Sequence, residues 1–451
     1  MRDLLILVLV VAPALYALRK PWIGVLLWTN LSLMSPHVQF GYASADWPVA
    51  SLVAITTLLG LLFTPERQNP MKSTAVWLLL ILALWISITL PFSLNFDNSA
   101  ALWERSMKIF LMIFVTLALI NDKPKLDAFI WVLVISLGFY GVKGGIFTLV
   151  TGGNYRVWGP GGFVAENNAL ALALIMIVPL MRYLQLQQTK RWAILSLGFA
   201  MAFTIITVLG SYSRGALLGM SVMGVFLWIK STKRYSAALY VIPFLMIAVS
   251  FMPDQWWQRM ETIGTYSEDR SAQGRINAWW NAWNLACDRL IGGGFDIYTP
   301  EIFSRYAPAP DRIHAAHSIY FQMLGEQGFI GLVLFIAIGI STWTSGRRLI
   351  NLSKHNPSLR WVGDLGAMIQ VSMIGYASGG AFLSLTWFDL PYNIMLAGAV
   401  AGQLVSKKLS LGDRLDGANL RSEPVDSSNN PLALAPSQWR SQENQPNPVS
   451  K

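Results

Sequence analysis

Apolar runs recur from one end of the chain to the other, at about 4–18, 21–35, 48–63, 74–91, 102–120, 126–150, 166–184, 192–210, 214–229, 237–252, 319–345, 362–385 and 388–405. Most are long enough to cross a hydrocarbon core roughly 30 Å thick as a helix, and in lipid an open chain can satisfy its backbone only as a helix. The pattern predicts an all-α fold, a polytopic transmembrane helix bundle. The first two runs are short and joined by Leu18-Arg19-Lys20-Pro21, which reads as one broken or re-entrant unit. That reading leaves about twelve spans, with both termini on the same side. Four regions follow: amino-terminal membrane helices over 1–252, one large, partly helical external loop over 253–318, carboxy-terminal membrane helices over 319–408, and a tail over 409–451. The tail is rich in Asp, Asn, Ser, Gln and Pro, cannot bury a core, and is expected to be disordered and cytoplasmic.

Composition agrees with the pattern, since 54% of the 451 residues are hydrophobic and only 13% charged. The net charge of +10 would suit nucleic acid if it were concentrated on a soluble domain. Instead the basic residues fall in alternate short connections, at Arg19 and Lys20, Arg67 and Lys72, Lys123 and Lys125, Arg182 and Lys190, Arg347 and Arg348, and Lys407 and Lys408. By the positive-inside rule these connections are cytoplasmic, so the long loop and its companions lie outside and nucleic acid is not a partner. Met1-Arg2-Asp3 leads into an apolar run without a small-residue cleavage site, so the first span is expected to stay. A single cysteine, Cys287, rules out an internal disulfide.

Charged residues on the outer side run against that rule and draw attention. Arg156 lies in the glycine-rich stretch Gly152 to Gly162, Arg214 in the turn Ser211-Tyr212-Ser213-Arg214, and Arg275 in Gly274-Arg275-Ile276-Asn277-Ala278-Trp279, where a four-residue spacing puts Arg275 and Trp279 on one helical face. Several guanidinium forks at one bilayer surface suit a diphosphate, although each could also snorkel to lipid headgroups. Arg105 and Lys108 are secondary candidates, with Glu104 available to pair with either. Two of the four histidines, His314 and His317, close the long loop beside Arg312 and Tyr320. Their three-residue spacing would permit metal ligation, but no pattern supplies further ligands, so no metal is expected. If 317–328 formed one helix, Glu326 would stand half a turn out of phase with His317 and roughly 13 Å along the axis, so the two would not act as a pair. A single histidine near neutral pKa could orient or deprotonate an acceptor hydroxyl.

The order of these motifs, Ser213-Arg214-Gly215, Gly274-Arg275 followed by tryptophan, Gly292-Gly293-Gly294-Phe295, then His317-Ser318-x-Tyr320-x-x-x-Leu324-x-Glu326-x-Gly328-x-x-Gly331, resembles the bacterial O-antigen ligase and polymerase superfamily. Met1-Arg2-Asp3-Leu4 with Arg19-Lys20-Pro21-Trp22-Ile23-Gly24 resembles a branch described as exosortase-associated O-glycosylation ligases. The resemblance implies an inverting, metal-independent glycosyltransferase of the inner membrane with no cofactor, acting at the periplasmic face. Its donor would be a glycan on undecaprenyl diphosphate and its acceptor lipid A core, with protein O-glycosylation or glycan polymerisation as alternatives. By motif, the resemblance implies that His317 matches the family's essential histidine and that Arg214 and Arg275 match arginines proposed to bind the diphosphate, with Arg156 a looser match. A lipid-linked glycan transporter is disfavoured, because the unusual charges gather at one face and no paired broken helices appear in two halves.

Overall fold

The computed structural model describes residues 2–41, 44, 47–230, 234–261, 270–354 and 356–422. Among them the chain forms α-helices and short 3-10 turns, with no strand. The helices are α1 (Arg2–Ala17), α2 (Pro21–Met34), α3 (Pro36–Phe40), α4 (Val49–Phe63), α5 (Thr74–Thr89), α6 (Phe96–Leu119), α7 (Lys123–Val150), α8 (Asn167–Leu186), α9 (Arg191–Gly210), α10 (Arg214–Lys230), α11 (Arg234–Ser250), α12 (Asp254–Glu261), α13 (Arg270–Asp288), α14 (Pro300–Tyr306), α15 (Ile319–Ser353), α16 (Arg360–Gly379) and α17 (Asp389–Ser422). Each of the thirteen apolar runs forms a helix. Among the described residues five helical stretches are long and apolar enough to cross a bilayer by themselves: Thr74–Phe92, Lys123–Val150, Asn167–Leu186, Arg191–Gly210 and Ile319–Ser353. The protein is a polytopic helical membrane protein.

Helix α8 lies at the centre. Leu170 to Ile177 are buried on every side, as expected of a helix apolar all round, and α7, α9, α10 and α16 pack around it. Close approach of α7 to α9 depends on small residues, as at other membrane helix interfaces. A Cβ on Gly145 would lie 2.4 Å from the Phe203 carbonyl oxygen, and the Thr207 hydroxyl donates across the contact to the Gly141 carbonyl.

Connections gather at two opposite ends. At one end Lys125 pairs with Glu66 at 2.9 Å and Gln187 with Asp364 at 3.3 Å. At the other Val157 N–H donates to the Gly210 carbonyl at 3.0 Å, Gln39 Nε2 to the Pro160 carbonyl at 2.7 Å and Asn98 Nδ2 to Asp296 at 2.8 Å. These are the two groups that charge alternation separates. The amino terminus decides between two readings. Asp3 accepts from Ser44 Oγ at 2.7 Å, while Ile6, Val10 and Ala14 of α1 pack with Leu31 of α2. So α1 and α2 form an antiparallel hairpin, as a re-entrant unit does, rather than one broken span, and Asp3 lies at the end that carries Ser44. Helix α17 runs on to Ser422, past the expected start of the tail at residue 409, and 423–451 lie outside the described residues.

The long loop contributes α12, α13 and α14. Its glycines dock on the start of α15, backbone against backbone. Gly293 N–H donates to the Gly325 carbonyl and Gly294 N–H to the Glu326 carbonyl, both at 2.9 Å. Helix α15 is interrupted there by Gly328, at φ 68 and ψ −170, and a Cβ on Gly328 would stand 1.9 Å from the Leu290 carbonyl oxygen. Gly328→Ala therefore combines a backbone conformation closed to L side chains with a main-chain collision. We expect it to cost about 3 kcal/mol or more, read as a fall in melting temperature in detergent; wild-type melting would refute the account.

Candidate active site

His317 does not belong to the helix that follows it. Helix α15 starts at Ile319 behind Ser318, and His317 holds φ 43, a left-handed conformation for a non-glycine residue. The half-turn argument for Glu326 thus loses its premise, because 317–328 is not one continuous helix. Glu326 has partners of its own. It is 2% exposed, accepting from Trp387 Nε1 at 2.6 Å and Gln322 Nε2 at 3.1 Å, so it is occupied in holding the start of α15 to the 380–388 turn.

Helix α13 brings Arg275 to the histidine. The expected face is present: Arg275 Nη1 donates to the Phe382 carbonyl at 3.4 Å, and four residues on Trp279 lies 6.5 Å from the Phe382 ring and stacks on Phe321. Gly274 precedes the arginine because a Cβ there would lie 2.7 Å from His314 Cδ2. The His314 and His317 rings meet edge-on at 5.4 Å. Burial, the Arg275 cation and His314 together lower the His317 pKa to about 4, so its imidazole is neutral at neutral pH.

The segment that carries Arg214 approaches the Phe382 turn from another side. Tyr212 takes φ 59, Ser213 Oγ accepts from Ala216 N–H at 3.2 Å, and Arg214 opens α10. A Cβ on Gly215 would touch Phe382 Cβ at 3.1 Å and Leu383 Cγ at 3.3 Å. The Phe382 turn is therefore the common wall of both arginine segments. A cation in the first turn of a helix opposes the helix dipole, and the combination favours an anion at that end. Arg156 is exposed and lies 5.6 Å over the Tyr212 ring, whose hydroxyl donates to the Gly153 carbonyl at 2.6 Å. The glycine-rich loop is thereby stitched to the Arg214 turn.

The secondary candidates separate. Arg105 stacks over Phe163 at 3.7 Å, against the far end of the glycine-rich loop. Lys108 pairs with Glu104 at 2.5 Å, both exposed. Arg312 is exposed, and its carbonyl accepts from Asn277 Nδ2 at 3.0 Å, which fixes the loop before the histidines. The Tyr320 hydroxyl donates to the Ala377 carbonyl at 2.9 Å and ties α15 to α16. Sequence reasoning missed the Phe382 turn and the left-handed Tyr212, neither of which has a polar signature. It also missed Asp389, which is 3% exposed and accepts from Ser32 Oγ at 2.6 Å; a lone acid at a helix start gives no sign of its burial.

Residues 199–336 match the family model described as O-antigen ligase, a stretch that contains Arg214, Arg275 and His317. Residues 1–189 match the model of a family of unknown function. A search of curated proteins finds no significant match.

Proposed function

We propose, from the premise that residues 199–336 form an O-antigen ligase domain, that the protein moves a preassembled glycan en bloc from undecaprenyl diphosphate onto a hydroxyl of lipid A core. The reaction takes place at the periplasmic face of the bacterial inner membrane. The observation that carries this reading is the placing of Arg275 beside a neutral His317, with the Arg214 helix start on the same Phe382 turn.

The acceptor oxygen forms a bond to the anomeric carbon as the bond from that carbon to the diphosphate breaks. Attack from the opposite side inverts the centre. His317 takes the acceptor's proton, and undecaprenyl diphosphate departs with its charge held by Arg214 and Arg275, with Arg156 at the rim. Fixed cations at a developing charge do by electrostatics what a metal ion does elsewhere, so no metal is required. Positioning the hydroxyl behind the anomeric carbon supplies much of the remaining barrier reduction.

Purified protein in nanodiscs, given undecaprenyl-diphosphate glycan with lipid A core, a hydroxyl-bearing peptide or a second glycan, is expected to load lipid A core, unchanged by chelator. Transfer to peptide alone would identify a protein O-oligosaccharyltransferase, and transfer to glycan alone a polymerase. A chelator-sensitive reaction would overturn metal independence.

A further inference from the structure

The left-handed backbone at His317 persists only if its neighbours over-determine it. On one side Ser318 is buried and opens α15, whose first carbonyl, that of Ile319, accepts from Thr386 Oγ1 at 3.2 Å. On the other, Ala316 is fully buried and its carbonyl accepts from Trp279 Nε1 at 2.7 Å. The indole is itself immobilised, stacked on Phe321 of α15 with centroids 5.0 Å apart and planes within 7°. Trp279 stands one turn beyond Arg275 on the same face of α13, about 6 Å along the axis. One rigid helix thus carries both the guanidinium and the group that grips the histidine's backbone.

We propose that Trp279 is the positioning residue of this site: its indole N–H holds the Ala316 carbonyl, keeps His317 left-handed, and sets the imidazole in register with Arg275. The inference rests on the proposed role of His317 and adds a residue to it. The groups that bear on the imidazole are Arg275 from α13 and His314 from its own loop. Tyr298 meets the backbone at Ala316, and Tyr320 is turned away to Ala377. A backbone released at Ala316 therefore moves the imidazole out of its buried place beside Arg275.

With four histidines in the chain, the titration of His317 is readable by NMR of histidine-labelled protein in nanodiscs and assignable through His317→Asn. Trp279→Phe keeps a ring for Phe321 and removes the donor. It is expected to raise the His317 pKa from about 4 toward the ordinary value of roughly 6.5. Turnover is expected to fall about a hundredfold with donor KM little changed. Trp279→Gln places an N–H the same number of bonds from Cα and is expected to hold the low pKa better. A His317 titration unmoved in Trp279→Phe, or raised equally in both variants, would overturn the proposal. If Trp279→Phe does not fold, Trp279→Gln decides: a retained low pKa supports the N–H role and a raised one defeats it. Full activity of His317→Ala would remove the histidine from transfer yet leave this titration result standing.

Discussion

His317→Ala is expected to lower the turnover of glycan transfer by about two to four orders of magnitude, the range typical of a positioned general base. His317 carries its imidazole beside Arg275, whereas His314 packs on Gly274. His317→Asn separates chemistry from backbone, because asparagine tolerates φ 43 better than alanine does. Equal losses in both variants place the effect in the imidazole. The pH dependence has a definite sign. A base acts when neutral, and the folded pKa is lowered to about 4, so activity should hold as pH falls through 6.5 and disappear only near 4. A limb at 6.5, or undiminished transfer in both variants, would take the proton away from His317.

Arg275→Ala should cost about 10²- to 10³-fold in turnover, or about 3–4 kcal/mol, as removal of one donor from a preorganised anion site does. The Arg275 hydrogen bond to the Phe382 carbonyl is long at 3.4 Å. Arg275→Lys should restore little, because an ammonium cannot make the two parallel bonds of a guanidinium to a diphosphate. Arg214→Ala should resemble it, and Arg156→Ala should fall short of both, since Arg156 is exposed and lies against Tyr212. Wild-type turnover in Arg275→Ala would remove the proposed diphosphate role.

The candidate residues were legible because membrane sequences make charge conspicuous. A cation at the end of an apolar helix on the wrong side calls for a reason, and that drew attention to Arg156, Arg214 and Arg275 together; only the family resemblance set the last two apart. The four-residue step from Arg275 to Trp279 was readable for the same local reason. Lys108 meets Glu104, the pairing that the sequence already offered. The sequence left α1 and α2 open, because their connection Leu18-Arg19-Lys20-Pro21 looks the same whether it ends a hairpin or bends one element. The continuous helix assumed from His317 to Glu326 failed for a different reason. Backbone left-handedness at His317 and the break at Gly328 are imposed by partners far along the chain, Trp279 in one case and the Leu290–Gly292 backbone in the other.

Class and alternation, then, were settled by the sequence itself: bilayer thickness fixes how long an apolar run must be, and basic residues mark one set of connections. Both are properties of neighbouring residues. Which segments converge was decided only by the tertiary structure. The arginines come from α10 and α13, the histidine precedes α15, and their common wall is an uncharged turn at Phe382 between α16 and α17. That convergence arises from helix packing around α8 and from backbone contacts between distant glycines, which leave no periodic mark in the order of the residues.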